Sequence, residues 1–356
     1  MYKEFKVKTT NQKASCILMI YTGGTLGMVY DGEKKTLVPF QFDEILKNIP
    51  ELGRFESELT ILPIDPAIDS SNMSPEIWIE LAKIIGDRYD GYDGFVILHG
   101  TDTMAYTASA LSFLLENLAK PVIITGAQLP IGMARTDARE NMMTALELAE
   151  HKVNGESLLN EVCIYFNGRL LRGNRAKKQE SSQFDAFQSE NYPNLAEVGV
   201  YCQYNEPYIL PKPEGLFLVH QKMNTDVFIL KLFPGISNDF VKVLLEQENL
   251  KGVVLETFGS GNASSDSVFL SLLQKAASKG ILLYNVSQCN GGEVRQGDYD
   301  TGKGLQHAGV ISGRDLTTEA AICKLMYILG LNKSLSKSKE LLQKNLRGEM
   351  SEGVLN

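Results

Sequence analysis

Gly94-Phe95-Val96-Ile97-Leu98-His99-Gly100-Thr101-Asp102-Thr103-Met104-Ala105 is the stretch that decides the fold. Its first five positions are glycine and four apolar side chains without in–out alternation. A strand of that kind is covered on both faces, as in a parallel sheet between helix layers. A small polar turn follows, and then Met104, Ala108, Leu111, Leu115 and Leu118 recur at helical spacing. Strand, turn and helix in that order form the repeating unit of α/β architecture. Apolar runs at 17–21, 122–125, 162–166, 227–232, 253–255 and 281–286 repeat the strand signal. Ser74-Pro75-Glu76 supplies a cap, a proline at the first helical position and an acid in the first turn, ahead of Ile77, Leu81, Ile84 and Ile85. The expected fold class is therefore α/β: a larger N-terminal parallel-sheet domain with flanking helices, plus a smaller C-terminal α/β domain.

The 356 residues suit two domains at ~150 residues each. Pro207, Pro211, Pro213 and Gly215 break helix and strand ladders and mark a connector over 205–222. The expected domains are 1–210 and 211–356, with a solvated helix and tail from Lys333 onward. Hydrophobic residues at 44% and charged ones at 22% exclude a disordered or fibrous chain. A formal net charge of −8 argues against nucleic acid as the partner, because phosphate binding needs a concentrated positive field. No apolar run approaches the ~18 residues of a membrane helix, and no signal segment is read at the N-terminus. Five scattered cysteines without a C-x-x-C pair read as buried apolar side chains in a reducing compartment. The expected location is cytoplasmic.

In a parallel sheet, ligands collect beyond the carboxyl ends of strands. Three such ends carry glycine and small hydroxyl residues: Thr22-Gly23-Gly24-Thr25, His99-Gly100-Thr101-Asp102-Thr103, and Glu256-Thr257-Phe258-Gly259-Ser260-Gly261-Asn262. Glycine permits positive φ and close approach to the backbone, whose N–H groups then stabilise an oxyanion. A threonine beside such a turn is a nucleophile if a base removes its proton. The plainer readings are a tight turn for Gly23-Gly24 and an N-cap for Thr101-Asp102. The histidines His99, His151, His220 and His307 show no metal-ligand spacing, and His99 reads as a strand-end side chain satisfied by the backbone. Neither a cofactor nor a metal is expected. Lysine serves as a base when desolvation or a neighbouring cation lowers its pKa, and the stretch from Arg172 to Lys178 offers one. Otherwise such a basic run is a solvated loop.

Taken together and in order, these motifs resemble the L-asparaginase family, in its bacterial cytoplasmic type I branch. The run is Tyr21-Thr22-Gly23-Gly24-Thr25, Asp69-Ser70-Ser71-Asn72-Met73, the stretch from Gly94 to Ala105, Phe166-Asn167-Gly168-Arg169, Arg172-Gly173-Asn174-Arg175, Pro234-Gly235-Ile236-Ser237 and Gly259-Ser260-Gly261-Asn262. T-G-G-T alone is a weak signal; with H-G-T-D-T at this separation it is specific. The resemblance spans roughly Ile17 to Gly348.

It implies an asparaginase-like fold and hydrolysis of L-asparagine to L-aspartate and ammonia through a threonine acyl-enzyme. Thr25 matches the nucleophile, and Thr101, Asp102 and Lys178 match the second threonine–aspartate–lysine group. Asp69, Ser70 and Ser71 match substrate-binding positions, Ser70 holding the α-carboxylate, and Asp102 also binds the α-ammonium. Asn262 matches a position that reaches the site from a neighbouring subunit, so a homodimer or homotetramer is implied. The family's tyrosine after the T-G-G-T turn is near Leu37, which leaves Tyr30 and Tyr299 as candidate activators of Thr25. Asn285-Val286-Ser287-Gln288-Cys289 resembles part of a regulatory asparagine site, with Ser287 and Cys289 as its candidates, although Glu256 stands where that site has a basic residue. The loop over 27–39 reads as a lid. Two rivals stay open: an amidase acting on glutamine or a larger amide, as in aminoacyl-tRNA amidotransferase relatives, and a non-catalytic asparagine sensor.

Overall fold

The computed structural model describes residues 4–7, 15–31, 36–39, 49–297 and 300–352, with the backbone alone at Thr25, Met28–Asp31, Thr36–Pro39 and 300–301. The described strands of the main sheet are β1 (Phe5–Val7), β2 (Cys16–Tyr21), β3 (Glu58–Pro63), β4 (Gly94–Leu98), β5 (Val122–Thr125), β6 (Val162–Phe166), β7 (Arg169–Arg172), β8 (Ala196–Val198) and β9 (Cys202–Tyr204). Their spatial order is β1-β3-β2-β4-β5-β6-β7-β8-β9. From β3 through β6 neighbouring strands are parallel. The two edges are antiparallel. The parallel middle is the part that the unbroken apolar runs announced, and every residue of β4, β5 and β6 is buried.

The antiparallel edge and β3 went unread. The β6–β7 hairpin turns on Asn167 and Gly168, both at positive φ (48° and 79°), the two-residue Asn-Gly connection whose twist matches that of the strands. Arg172 at its end is buried and pairs with Glu161 at 2.5 Å, so this part of the basic run is interior rather than a solvated loop.

Helix α1 (Pro75–Asp87) starts where Ser74-Pro75-Glu76 placed it and buries Trp78, Leu81, Ala82, Ile84 and Ile85. Each large apolar side chain so removed from water contributes roughly 1.5–3 kcal/mol. Helix α2 (Met104–Leu114) follows the H-G-T-D-T turn but stops short of the expected stripe. Leu115–Glu116 is a strand paired with Leu218–Val219, and Asn117 turns the chain at φ 55°. Helix α3 (Ala138–Glu150) packs over the middle of the sheet.

The chain divides into two compact units: one runs to Ser189 and resumes over Pro193–His220, and the other comprises Glu190–Tyr192 and the residues from Gln221 onward. Asn191 explains its membership of the second unit, since its side-chain amide donates to the carbonyls of Gly292 (2.9 Å) and Asp315 (3.1 Å). The second unit holds a parallel four-stranded sheet, β10 (Val227–Lys231), β11 (Gly252–Thr257), β12 (Leu282–Ser287) and β13 (Ile311–Ser312), in that order. Its helices include α4 (Asn238–Leu245), α5 (Ser267–Ser278), α6 (Asp300–His307), α7 (Thr318–Gly330) and α8 (Leu335–Gln343).

Beyond α8 the described residues, 344–352, are not the solvated tail expected from their polarity. Glu349 and Met350 are buried, and the equally buried Lys324 reaches Glu349 at 2.7 Å and the carbonyls of Leu342 (3.1 Å) and Lys344 (2.5 Å). A buried ammonium needs every donor satisfied, and this segment returns over α7 to do so. The cysteines also depart from expectation, since only Cys163 and Cys323 are buried while Cys289 is exposed. No helix among the described residues is long and apolar enough to cross a membrane.

Candidate active site

The ends of β2 and β4 are stitched together before any chemistry is placed on them. Thr22 donates to the Leu98 carbonyl through both its backbone N–H and its hydroxyl, each at 3.0 Å. Gly23 and Gly24 follow at φ 133° and 90°. A side chain on Gly24 would stand 2.5 Å from the Gly100 backbone, so the T-G-G-T turn lies directly against the G-T-D turn. Thr25 opens the short 3-10 turn Thr25–Gly27 directly after Gly24.

Gly100 is pressed from the other side by Ser70, whose Oγ lies 2.5 Å from where a Gly100 side chain would begin. Ser70 and Ser71 start the 3-10 turn Ser70–Asn72, capped by Asp69. The Asp69 carboxylate accepts from the Ser71 N–H (2.9 Å) and hydroxyl (2.7 Å), and these bonds hold it below the usual carboxylate range. Thr103 Oγ1 donates to the Ser70 carbonyl at 2.6 Å, which joins this turn to the start of α2. Ser70 is buried, whereas Asp69 and Ser71 are more open to solvent.

Thr103, not Thr101 or Asp102, occupies the N-cap position of α2. The two earlier side chains instead meet Lys178. Its Nζ donates to Thr101 Oγ1 at 2.8 Å and to Asp102 Oδ1 at 2.7 Å. Lys178 lies on the two-residue strand Lys177–Lys178, which pairs with Phe187–Gln188 and so is held as one arm of a hairpin. Its side chain is 18% exposed and that of Asp102 is 68% exposed, so the group borders solvent on one side.

His99 supports the turn from below. It is fully buried, with Nδ1 2.6 Å from the Gly100 carbonyl and Nε2 2.9 Å from Thr107 Oγ1. A carbonyl only accepts, so the proton sits on Nδ1, and Nε2 accepts from Thr107. Trp78 Nε1 donates to Thr107 in turn, at 3.0 Å. Burial lowers the imidazole pKa from 6.5 to about 4, so the ring is neutral at physiological pH. It orients the Gly100 carbonyl and carries no charge to the site. The backbone satisfies one ring nitrogen, as read from the sequence; a threonine satisfies the other.

Of the two candidate activators, Tyr299 lies outside the described residues. Tyr30 lies on Met28–Asp31, which pairs antiparallel with Thr36–Pro39 so that Tyr30 stands directly opposite Leu37. The middle of the lid stretch, 32–35, is outside the described residues.

Asn262, Ser287 and Cys289 belong to the second unit, at the carboxyl ends of β11 and β12. Asn262 closes a tight turn on Phe258, with backbone bonds of 2.9 and 2.8 Å and Gly259 and Gly261 at positive φ between them. Ser287 Oγ donates to the Gly259 carbonyl at 2.6 Å and accepts from Cys289 N at 3.0 Å. Glu256, the departure from the regulatory pattern, accepts from Thr318 Oγ1 at 2.6 Å and faces Lys231 at 3.5 Å. Among the described residues no group of three or more side chains has the make-up of a metal site.

The sequence reading missed Gln128, whose Oε1 lies 3.4 Å from Thr101 Oγ1. The signal was available: Gly126-Ala127-Gln128 follows the carboxyl end of β5, just as the chosen turns follow theirs.

Comparison with known proteins assigns the family. The N-terminal asparaginase family model matches residues 16–209, and the glutaminase/asparaginase C-terminal domain model matches 226–342. The chain belongs to the asparaginase family. It is 43% identical to L-asparaginase 1 of Escherichia coli K12 over 96% of this chain and 99% of that protein. It is also 35% identical to a glutamyl-tRNA(Gln) amidotransferase subunit of Saccharolobus solfataricus, covering 96% of this chain and 77% of that protein. Among solved structures, L-asparaginase I from Vibrio cholerae superposes with a TM-score of 0.86 at 42% identity, covering 95% of this chain and all of that one. The asparaginase fold expected from the motifs, two α/β parts with the larger first, is the fold observed.

Proposed function

We propose that this chain hydrolyses L-asparagine to L-aspartate and ammonia through an acyl-enzyme on Thr25. The observation that carries the reading is the Lys178 ammonium set between the Thr101 hydroxyl and the Asp102 carboxylate, on the turn that packs against the one bearing Thr25. Thr25 Oγ attacks the side-chain amide carbon, and N–H groups of the two apposed turns stabilise the oxyanion. The carbon–nitrogen bond breaks, and nitrogen takes a proton to leave as ammonia. Water then adds to the ester carbon, with Thr101 and Lys178 aiding transfer of its proton to Thr25 Oγ as that carbon–oxygen bond breaks, which releases aspartate and restores the Thr25 hydroxyl.

Ser70 is proposed to hold the α-carboxylate, with Asp69 and Ser71 as further substrate-binding residues beside it, and Asp102 to bind the α-ammonium. The register of Tyr30 opposite Leu37 favours Tyr30 as the group that activates Thr25. Asn262 is proposed to act from a neighbouring copy, so the active form is a homodimer or a pair of dimers, and the location is cytoplasmic. The likeness to the archaeal amidotransferase subunit favours the amidase as the second reading. Ammonia release from purified protein supplied with L-asparagine or L-glutamine separates them. The asparaginase reading predicts faster turnover of asparagine at low substrate; release from neither by folded protein would sink it.

A further inference from the structure

Gln128 belongs to none of the motifs used above, yet it is held as firmly as they are. The Asp137 carboxylate accepts from its backbone N–H at 2.9 and 3.1 Å and from that of Leu129 at 3.0 Å. Asn141, fully buried, donates to the same carboxylate at 3.2 Å and to the Gly126 carbonyl at 3.0 Å. The loop leaving β5 is thereby fixed to the first turn of α3, and the Gln128 side chain reaches out from a fixed base.

The direction of that side chain is also determined. Its Nε2 donates to the Gln183 carbonyl at 2.8 Å. A carbonyl needs a donor, so the amide oxygen must face the other way, toward the Thr101 hydroxyl at 3.4 Å. Gln183 lies in the loop of the hairpin that carries Lys178. One amide therefore spans from the Thr101 turn to the lysine's hairpin.

We infer that Gln128 is a positioning residue that fixes the Thr101 hydroxyl to receive and orient the reacting water; the inference rests on the proposed asparaginase chemistry. A lysine ammonium only donates, so Thr101 Oγ1 accepts from Lys178 and must send its own proton elsewhere. Gln128 Oε1 is the acceptor the geometry offers. With the proton directed there and one lone pair on Lys178, the remaining lone pair of Thr101 is left for the reacting water. Without Gln128 the hydroxyl proton loses its acceptor and the hairpin of Lys178 loses a tie to the turn. Small misplacements of this kind cost rate steeply in oriented systems.

The test compares Gln128→Met, similar in length but without the hydrogen bonds, with Gln128→Glu, whose carboxylate still accepts from Thr101 but cannot donate to Gln183. Ammonia release from L-asparagine is measured for both and for wild type, with melting curves alongside. The expected result is a kcat about 10–100-fold lower in Gln128→Met with KM within about threefold, and recovery of most of the loss in Gln128→Glu. Gln128→Met with wild-type kcat would overturn the inference. So would equal impairment of both variants, since a tie to Gln183 alone would then account for the residue. A folded wild type without turnover would fail earlier, on the asparaginase reading itself.

Discussion

Two lysine–carboxylate pairs, one in each unit, share their chemistry and differ in everything around it. Lys324 and Glu349 are both fully buried, and two backbone carbonyls and the Met350 sulfur complete the shell of the ammonium. Glu349 in turn accepts from the N–H groups of Leu346 and Arg347. Lys178 meets a mostly exposed carboxylate and a hydroxyl, on the border of solvent. A saturated, sealed pair resists any change of partner and so serves the fold. An unsaturated pair at a strand-end turn keeps a side open to a ligand, which is what the role proposed for Lys178 requires.

The comparison breaks most visibly at the site. Lys178→Met should lower kcat for ammonia release by about 10²–10⁴-fold while the melting temperature stays near wild type. A comparable loss of stability would make Lys178 a structural residue like Lys324. The reverse is expected for Lys324→Met, because removing one partner leaves Glu349 charged and buried. Urea titration should show a loss of about 3–5 kcal/mol, with the turnover of the remaining folded molecules unchanged.

His99 sharpens the sealed side. Its pKa is about 4 when folded against 6.5 as the ordinary value, so the unfolded chain takes up the proton first as pH falls. The stability it confers is complete above pH 6.5 and is lost between 6.5 and 4, by roughly 3 kcal/mol. His99→Gln should show a correspondingly flatter stability–pH curve by denaturant titration. The smallest effect belongs to a pair that neither seals nor reacts. Lys212 and Glu156 meet at 2.7 Å with more than half of each side chain exposed, and Glu156→Gln should change stability by no more than about 0.5 kcal/mol in the same assay.

How much of this was legible depended on whether the signal was local. Unbroken apolar runs revealed β2, β4, β5 and β6, because a strand covered on both faces has no choice of residue type. Glu58–Pro63 is paired on both sides but carries glutamate, threonine and proline, and only its pairing with β1 and β2 makes it a strand. The Asn167-Gly168 hairpin was readable in principle, since two residues at positive φ call for that dipeptide. The motif turns were legible because glycine is needed where Gly24 meets Gly100. Contacts that join distant segments were not: Glu349 on Lys324 and Gln128 on Thr101 follow from the fold, and polar residues near a chain end look solvated until a buried partner is known.

The central claim is that Thr25, on the turn pressed against Gly100, carries the acyl group while Lys178 moves protons beside it. Ammonia release from L-asparagine by Thr25→Ala, measured next to wild type at matched folded concentration, tests it most directly. The account predicts steady release from wild type and none above background from the variant. Release from Thr25→Ala at a rate near that of wild type would contradict it and place the nucleophile elsewhere.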